Sequence, residues 1–312
     1  MTQYTLRRLL ETIPILLGVT LLTFLILHLS PGDPAVLIGG PTASSEEIAN
    51  IRRRLNLDRP LHEQYLTFLA GLTRGDLGAS IQRRESVADM LSVRLPNTLA
   101  LAVASMIVTL LGVVLGVVAA TKQNSITDFA LMNVSLVGLS IPNFWLGLML
   151  IIWFSVDLRW FPAAGLVQPY WSLDGLRALT LPALTLGTAG MALVARLTRS
   201  GMLEVLQQDY VRTARAKGLP QRVVTYRHAL RNTLIPVVTI LGLNFGYLLG
   251  GAVVTETVFA INGIGRLTVD AILARDYAVV QGCVVFIATM FVLVNLLVDL
   301  SYALLNPQLR YG

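Results

Sequence analysis

Six long stretches of the sequence contain no Asp, Glu, Lys or Arg, and they constrain the fold more than any other feature. They span 18 to 28 residues each, and they cover residues 12–32, 95–121, 129–156, 178–195, 232–255 and 277–298. A helix needs about 20 residues to cross the hydrocarbon core of a bilayer. Apolar and polar residues do not alternate within these stretches, as they would in the strands of a membrane barrel. The sequence therefore predicts an all-α polytopic membrane protein with six transmembrane helices.

Composition and charge support this prediction. Hydrophobic residues make up 54% of the chain and charged residues only 13%, whereas a soluble domain has about 25% charged residues. The net charge of +6 is not gathered into one patch, which disfavours a nucleic-acid-binding protein. With a cytoplasmic N-terminus, the inner segments hold twelve Lys and Arg residues and the two short outer loops hold four. The positive-inside rule then predicts that both termini are cytoplasmic.

The predicted spans divide the chain into three parts. Residues 1–32 form the N-terminus and first span, 33–95 a long extracytoplasmic loop, and 96–312 a core with spans two to six. In the loop, Ser44 and Glu47 have the spacing of a capping box. Apolar residues then recur at helical spacing, at Ile48, Ile51 and Leu55, and at Leu61, Tyr65, Phe68, Leu69 and Leu72. We expect two or three short amphipathic helices on the outer membrane face.

Small and polar residues inside the spans indicate packing surfaces and a possible pathway. Glycines that repeat every four residues let helix backbones approach closely, either within one subunit or at a subunit interface or gate. They are Gly112 and Gly116, and Gly242, Gly246 and Gly250. Polar residues and a proline break in the spans are candidates for a pathway or gate, although each could equally serve an interhelical hydrogen bond. These candidates are Asn133, Ser140, Pro142, Asn143, Asn244 and Asn295.

Several kinds of chemistry have no residues to support them. The two lysines, Lys122 and Lys217, do not follow a glycine, so the chain has no phosphate-binding loop of the Gly-Lys-Ser/Thr kind. One cysteine and three widely separated histidines do not give the spacing of a metal site. We therefore expect no catalytic residues, no cofactor and no metal.

The cytoplasmic segment between spans four and five, about residues 200–234, carries the most information. Residues Asp209 to Lys217 favour a helix, and Gly218 followed by Pro220 suits a left-handed helix cap and a stop. A second helix is expected to follow before Pro236. The segment is either a solvated basic loop or a helix that docks a cytoplasmic partner.

This segment resembles the EAA loop of bacterial ABC importer permeases. When the two are aligned on Gly218, Arg212 takes the place of the Glu, and Thr213 and Ala214 take the places of the two Ala residues. The later Leu-Pro of the motif is Leu230–Arg231 here. The run from Thr213 to Gly218 has the form typical of the peptide and nickel permease branch.

Short motifs along almost the whole chain, from about residue 5 to 311, are similar to the same branch. They are Pro31–Pro34, Gly75–Gly78, Pro96–Leu99, Trp160–Pro162, Leu181–Gly187, Gly250–Gly251, Glu256–Phe259, Gly263–Gly265, Asp276–Tyr277 and Asn306–Pro307. Each motif alone has little specificity, but their number and order are highly specific.

The resemblance implies a type I ABC importer permease in the bacterial inner membrane, which imports peptides by alternating access. It also implies a second homologous permease subunit, two cytoplasmic ATP-binding subunits that hydrolyse ATP, and an extracytoplasmic binding protein. The residues implied in ATPase coupling are Asp209, Tyr210, Arg212, Thr213, Ala214, Arg215, Ala216, Lys217 and Gly218. Nickel or glutathione-type substrates are alternatives, and an ion-coupled secondary transporter is an alternative of another class.

Overall fold

A computed structural model describes residues 2–29, 35–36, 43–54, 57–80 and 82–305. Regular structure in these ranges is helical, apart from one antiparallel bridge between Ala79 and Ser86. Residues 31–34 and 306–307, quoted above for the resemblance, and Leu55 of the predicted amphipathic pattern lie outside the described residues.

The helices follow the predicted order along the chain. They are α1 Thr2–Leu29, α2 Ser45–Arg54, α3 Leu61–Thr73, α4 Val87–Thr121, α5 Ile126–Ser140, α6 Asn143–Leu150, α7 Leu173–Leu206, α8 Asp209–Ala216, α9 Gln221–Val223, α10 Arg231–Val258, α11 Ile264–Leu273 and α12 Tyr277–Leu305. Two segments are wound more widely, as π-helix: Ile151–Asp157 continues α6, and Val224–Leu230 joins α9 to α10. Such segments are rare and are often found at functional sites.

Candidate membrane spans coincide with the charge-free stretches. Three single helices are long and apolar enough: Val87–Thr121, Leu173–Leu206 and Tyr277–Val298. Two bent pairs qualify when both halves are counted: Ile126–Ser140 with Asn143–Asp157, bent by 105°, and Gln221–Leu234 with Pro236–Gly250, bent by 52°. These candidates match predicted spans two to six. The first predicted span lies in α1, whose apolar part, Leu10–Leu25, is shorter than the others.

The chain packs into two compact units. The larger unit combines Asn97–Arg266 with the chain from Phe291 onward. Its central element is α7, which packs against α5, α6 and α10. Of the most apolar 18-residue stretch of α7, 61% is buried. A helix that is covered on most sides carries small and apolar residues around its whole circumference, and the buried residues of α7 include many Ala, Gly and Leu.

The smaller unit combines Thr2–Pro96 with Leu267–Met290. The predicted capping box begins α2: the Ser44 N–H donates to Glu47 Oε2 at 2.8 Å, and the Glu47 N–H donates to Ser44 Oγ at 3.2 Å. These bonds from the Ser44 backbone and hydroxyl hold the pKa of Glu47 below its usual value. In the same unit α3 packs on α1, because the Tyr65 and Phe68 rings lie against Phe24. Of the two or three short helices predicted in this loop, two are therefore present as α2 and α3, and their place on the outer membrane face stays a prediction.

Candidate functional site

Helix α8 ends in a Schellman motif at the predicted cap. The backbone of Gly218 has a φ of 75°, its N–H donates to Arg215 O at 2.9 Å, and the Leu219 N–H donates to Ala214 O at 3.3 Å. These two bonds satisfy carbonyls that a helix end leaves without donors. Pro220 then caps the start of α9. The left-handed cap predicted at Gly218 is confirmed, and it sets a sharp reversal of the chain.

The underside of α8 is fixed to its neighbours by apolar contacts. Val211 and Ala214 are buried with Val224, and Val205 and Leu206 at the end of α7 pack against this cluster. Because positions 211 and 214 are three residues apart, they lie on the same face of the helix. The buried face of α8 is therefore packed firmly against the end of α7.

Tyr210 adds a polar attachment between α8 and the start of α10. Its hydroxyl donates to His228 O at 3.4 Å and accepts a hydrogen bond from Asn232 Nδ2 at 2.6 Å. Asn232 Nδ2 also lies 3.2 Å from His228 O. These bonds connect the coupling candidates to the π-helical segment and the first turn of α10.

The opposite face of α8 is exposed and cationic. The exposed cations between α8 and the first turn of α10 are Arg212, Arg215, Lys217, Arg222, Arg227 and Arg231. Asp209 lies 3.6 Å from Arg212, but the two side chains are 97% and 74% exposed, so the pair contributes little to stability. Thr213 and Ala216 are also exposed. Of the nine predicted coupling residues, Ala214 is buried and the other eight are exposed.

The polar break predicted at Pro142 bends the third span. Ile141 is extended, with φ −78° and ψ 125°, because the proline ring disfavours helical geometry for the residue before it. Helix α5 thus ends at Ser140 and α6 begins at Asn143, with 105° between the two halves.

The bend opens a groove of about 490 Å³. It is lined by Leu136, Val137, Ser140, Ile141, Pro142, Phe144 and Trp145. Apart from the Ser140 hydroxyl and the indole N–H of Trp145, the lining side chains are apolar. The structure therefore brings together Ser140 and Pro142 in one groove and places Asn143 immediately after it, partly buried.

The remaining pathway candidates lie elsewhere. Asn133 is exposed on α5 and donates to Phe129 O of its own helix. The Asn244 amide of α10 lies close to Gly190 of α7, where a Cβ atom would collide with it. Asn295 Oδ1 is buried without a hydrogen-bond partner in the described structure, and it lies near Gly246. These three residues do not share the groove lined by Ser140.

The repeated glycines lie where helices pack within the larger unit. A Cβ atom at Gly116 would be 2.6 Å from Ala195 O and from Thr198 Cβ of α7, and one at Gly112 would collide with Met191 O. On α10, a Cβ atom at Gly242 would collide with Val298, and one at Gly246 would be 3.0 Å from the Phe291 ring. Four of the five predicted glycines therefore have a packing role, and Gly250 has only its spacing to support one.

Three carboxylate side chains that are buried in the described part of the chain, Asp128, Glu256 and Asp276, were not among the predicted site residues. Asp128 Oδ1 and Oδ2 accept hydrogen bonds from Arg199 Nε and Nη2 at 2.6 and 2.7 Å. Glu256 is 0% exposed, and its Oε1 accepts from the Thr98 hydroxyl at 2.7 Å. A signal existed for Glu256, which stands in one of the quoted motifs. For Asp128 the sequence held only its capping spacing from Ser125, and nothing in it indicated the ion pair, because Arg199 is 71 residues away.

Glu256 fixes the start of α11 to two other helices. Its Oε2 accepts from the Arg266 N–H at 2.9 Å, and the Gly265 N–H also bonds the carboxylate. The Thr98 hydroxyl in turn accepts from the Ile264 N–H at 2.9 Å. A carboxylate is favoured at a helix N-terminus because unpaired backbone N–H groups point toward it. The contact is so close that a Cβ atom on Gly263 would collide with the Glu256 carboxyl group.

Comparison with known proteins gives this architecture a family. Residues 112–311 match the model of the binding-protein-dependent transport system inner membrane component. Residues 1–102 match the corresponding N-terminal model. The two matches cover nearly the whole chain, including the bend, the glycine contacts and α8.

Similar proteins include two full-length relatives. A di/tripeptide transport system permease protein of Pseudomonas aeruginosa (strain UCBPP-PA14) is 45% identical over 100% of this chain and 99% of its own length. A glutathione transport system permease protein of Salmonella choleraesuis (strain SC-B67) is 46% identical over 100% of both chains.

Among solved structures, a chain of the inward-facing MetNI methionine ABC transporter has the same fold. The TM-score is 0.58 at 18% identity, and the match covers 70% of this chain and 96% of that one. At this identity the likeness concerns the fold alone. The two family matches and the two full-length relatives show that this chain belongs to the family of binding-protein-dependent transport system inner membrane components.

Proposed function

We propose that this chain is a permease subunit of an ATP-driven ABC importer that carries peptides across the bacterial inner membrane by alternating access. The observation that carries the proposal is α8, a short cytoplasmic helix whose underside is fixed to α7 and whose cationic face is exposed. Family membership and the names of the relatives support the same function. The charge-free spans and the missing phosphate-binding loop support a transport subunit whose energy comes from other chains.

The proposed topology has both termini in the cytoplasm, as the distribution of Lys and Arg favours. Residues 1–32 hold the first span, 33–95 an extracytoplasmic loop, and 96–312 the core of the permease. The proposed coupling loop covers about residues 200–234. A second homologous permease subunit completes the pathway, and an extracytoplasmic binding protein delivers the substrate to the outer loops.

The proposed mechanism transmits ATPase movement through α8. Two cytoplasmic ATP-binding subunits dock on the exposed face around Arg212–Gly218 and close when they bind ATP. Because α8 is joined to the end of α7, its displacement tilts the central helix of the larger unit. The ATPases then favour an outward-open state and the resting complex an inward-open state, which is alternating access driven by differential contacts.

Peptides are the proposed substrate class because the similar proteins include di/tripeptide and glutathione permeases. Small peptides share an amino group, a carboxylate and an amide backbone, with varied side chains. The groove at the Pro142 bend is apolar except for the Ser140 hydroxyl and the Trp145 indole N–H, which suits a pathway that tolerates many side chains and binds none of them tightly.

A direct test combines purification with uptake. The tagged chain, expressed from its own operon and purified in mild detergent, should carry ATP-binding subunits and a second permease in stoichiometric amounts. Cells lacking the gene should lose uptake of labelled dipeptide, and the gene should restore it. Loss of nickel uptake or glutathione uptake alone would move the substrate to that class. Uptake that persists after ATP depletion with the ion gradient intact would contradict the proposal and favour a secondary transporter.

Replacing Gly218 with valine should reduce coupling without reducing the amount of protein in the membrane. A Cβ atom at Gly218 meets nothing within 4 Å, so the penalty comes from the left-handed backbone, about 1–2 kcal/mol for an L-residue. If α8 loses this much of its docking geometry, peptide uptake should fall about 5- to 30-fold. Gly218→Asn is the matched control, because asparagine adopts this conformation readily. Equal uptake by the valine and asparagine variants would contradict the role assigned to the cap.

A further inference from the structure

The ion pair between Arg199 and Asp128 joins two helices that the proposed mechanism needs to move together. Arg199 lies on α7 and Asp128 in the first turn of α5, and both guanidinium–carboxylate bonds are short, at 2.6 and 2.7 Å. The Asp128 side chain is 5% exposed and that of Arg199 is 26% exposed. A planar guanidinium that bonds both oxygens fixes orientation as well as distance.

Asp128 also completes the cap of α5. Its Oδ2 accepts from the Asn124 N–H at 3.0 Å, while its own N–H donates to Ser125 Oγ at 3.2 Å. Asn124 holds a left-handed backbone, with φ 61°, as the turn into the helix requires. The same carboxylate therefore sets where α5 begins and how it is oriented against α7, so α5 cannot rotate about its axis without losing one of these bonds.

Arg199 stands close to the coupling end of α7. Met202, three residues later and on the same side of the helix, is 0% exposed among Val117, Ala120 and Ala229. Val205 and Leu206, in the last turn, lie under α8. The last turns of α7, which follow Arg199, thus pack against the buried face of α8, and a displacement of α8 moves Arg199.

Helix α5 leads from this ion pair to the groove. Ser125 begins the helix and Ser140 ends it at the 105° bend. Leu136, Val137 and Ser140 on its last turns line the groove. A change in the orientation of α5 at Asp128 is carried along a continuous helix to those side chains.

We propose that the Arg199–Asp128 ion pair is a positioning contact that passes movement of α8 and the end of α7 to the bent pair α5–α6, and so to the groove. The inference rests on the proposed function, because it names the contact through which the ATPases act on the pathway. Neither residue touches the substrate in this mechanism. Without the ion pair, α5 keeps its packing against α7 but loses the contact that fixes its orientation at Asp128, and ATP hydrolysis proceeds without transport.

The test uses the whole importer, with its ATPases and binding protein, reconstituted in proteoliposomes. Peptide uptake and ATP hydrolysis are measured together and expressed as peptides transported per ATP. Asp128→Asn removes the carboxylate charge but leaves an oxygen for the Asn124 N–H, and Arg199→Lys keeps the charge but removes the fork. We expect each variant to lower transport per ATP at least about tenfold, while the complex assembles as the unchanged importer does.

Two control variants separate coupling from capping. Ser125→Ala removes the capping hydroxyl and leaves the ion pair, and it should transport normally. Asp128→Glu keeps a carboxylate at a capping-box position where Glu is common, and it should retain most of the coupling. Normal transport per ATP in the Asp128→Asn variant, even with less assembled complex, would overturn the inference, because the ion pair would then be a purely structural contact. A Ser125→Ala variant as uncoupled as Asp128→Asn would also overturn it, because loss of the helix cap would then explain the effect. An unchanged importer that neither hydrolyses ATP nor transports peptide would instead refute the proposed function.

Discussion

Replacing Glu256 with alanine is expected to lower the free energy of unfolding by about 3–5 kcal/mol. The carboxylate is fully buried and accepts from the Thr98 hydroxyl and from the backbone N–H groups of Gly265 and Arg266. Alanine removes this acceptor from all three donors at once and leaves a cavity where water does not reach. The start of α11 then loses its attachment to α4 and α10.

The measurement is the temperature at which the purified chain, in detergent and with its partners, aggregates or loses its monodisperse elution peak. Thr257→Ala is the matched control, because Thr257 is exposed and its hydroxyl bonds only Val253 O of its own helix. Glu256→Gln should fall between the two, since the amide oxygen can accept but the amide nitrogen faces a donor. Identical melting of the Glu256→Ala and Thr257→Ala variants would show that the buried carboxylate is dispensable.

Replacing Gly116 with alanine should separate α4 from α7. The added Cβ atom would lie 2.6 Å from Ala195 O and from Thr198 Cβ, so one backbone has to move away from the other. Overpacking of this kind costs about 1–3 kcal/mol, and more where backbone atoms are involved. The same two helices are also crowded at a second point, because a Cβ atom at Gly187 of α7 would be 2.6 Å from Ser105 O of α4.

Gly18→Ala in α1 is the matched control for Gly116→Ala. It makes the same chemical change in another apolar helix, but its Cβ atom meets nothing within 4 Å, and alanine is the better helix former by about 0.5–1 kcal/mol. We expect the Gly116 variant to give less assembled importer in the membrane and a lower melting temperature, with the Gly18 variant unchanged or slightly more stable. Equal yield and melting of the two variants would contradict the close contact between α4 and α7.

Local chemistry allowed several elements to be predicted from the sequence. The capping box at Ser44, the left-handed cap at Gly218 and the break at Pro142 depend on residues within five positions of one another, and each is present. The apolar spans could also be predicted, because exclusion of charge from lipid acts on each segment separately.

The helix limits and the buried ion pair could not be predicted in this way. Charged residues were taken as ends of spans, yet α7 extends over Arg177, Arg196 and Arg199, and α10 includes Glu256. Arg199 and Glu256 lie in helices because residues distant in sequence neutralise or satisfy them, and a pattern read along one segment does not contain those partners. Helix α11 was missed for the same reason, since its start is fixed by the distant residues Thr98 and Glu256.

The pathway residues show the same division. Ser140, Pro142 and Asn143 could be grouped because they are adjacent in sequence, and they do surround one bend. Asn244 and Asn295 could not be assigned to a helix face without knowing which neighbours the helices have. Their contacts with Gly190 and Gly246 depend on the packing of α10 against α7 and α12.

The length of α7 lets the proposed coupling act over a long distance. Its 34 residues rise about 51 Å, whereas the hydrocarbon core is about 30 Å thick, so a helix of this length that crosses the bilayer upright extends roughly 20 Å beyond the lipid chains. Such a helix can tilt as a rigid body around a point within the membrane. A tilt of only about 10° around its midpoint swings each end by roughly 4 Å, comparable to the width of a peptide backbone. Modest closure of a motor at one end can therefore open or shut a passage at the other.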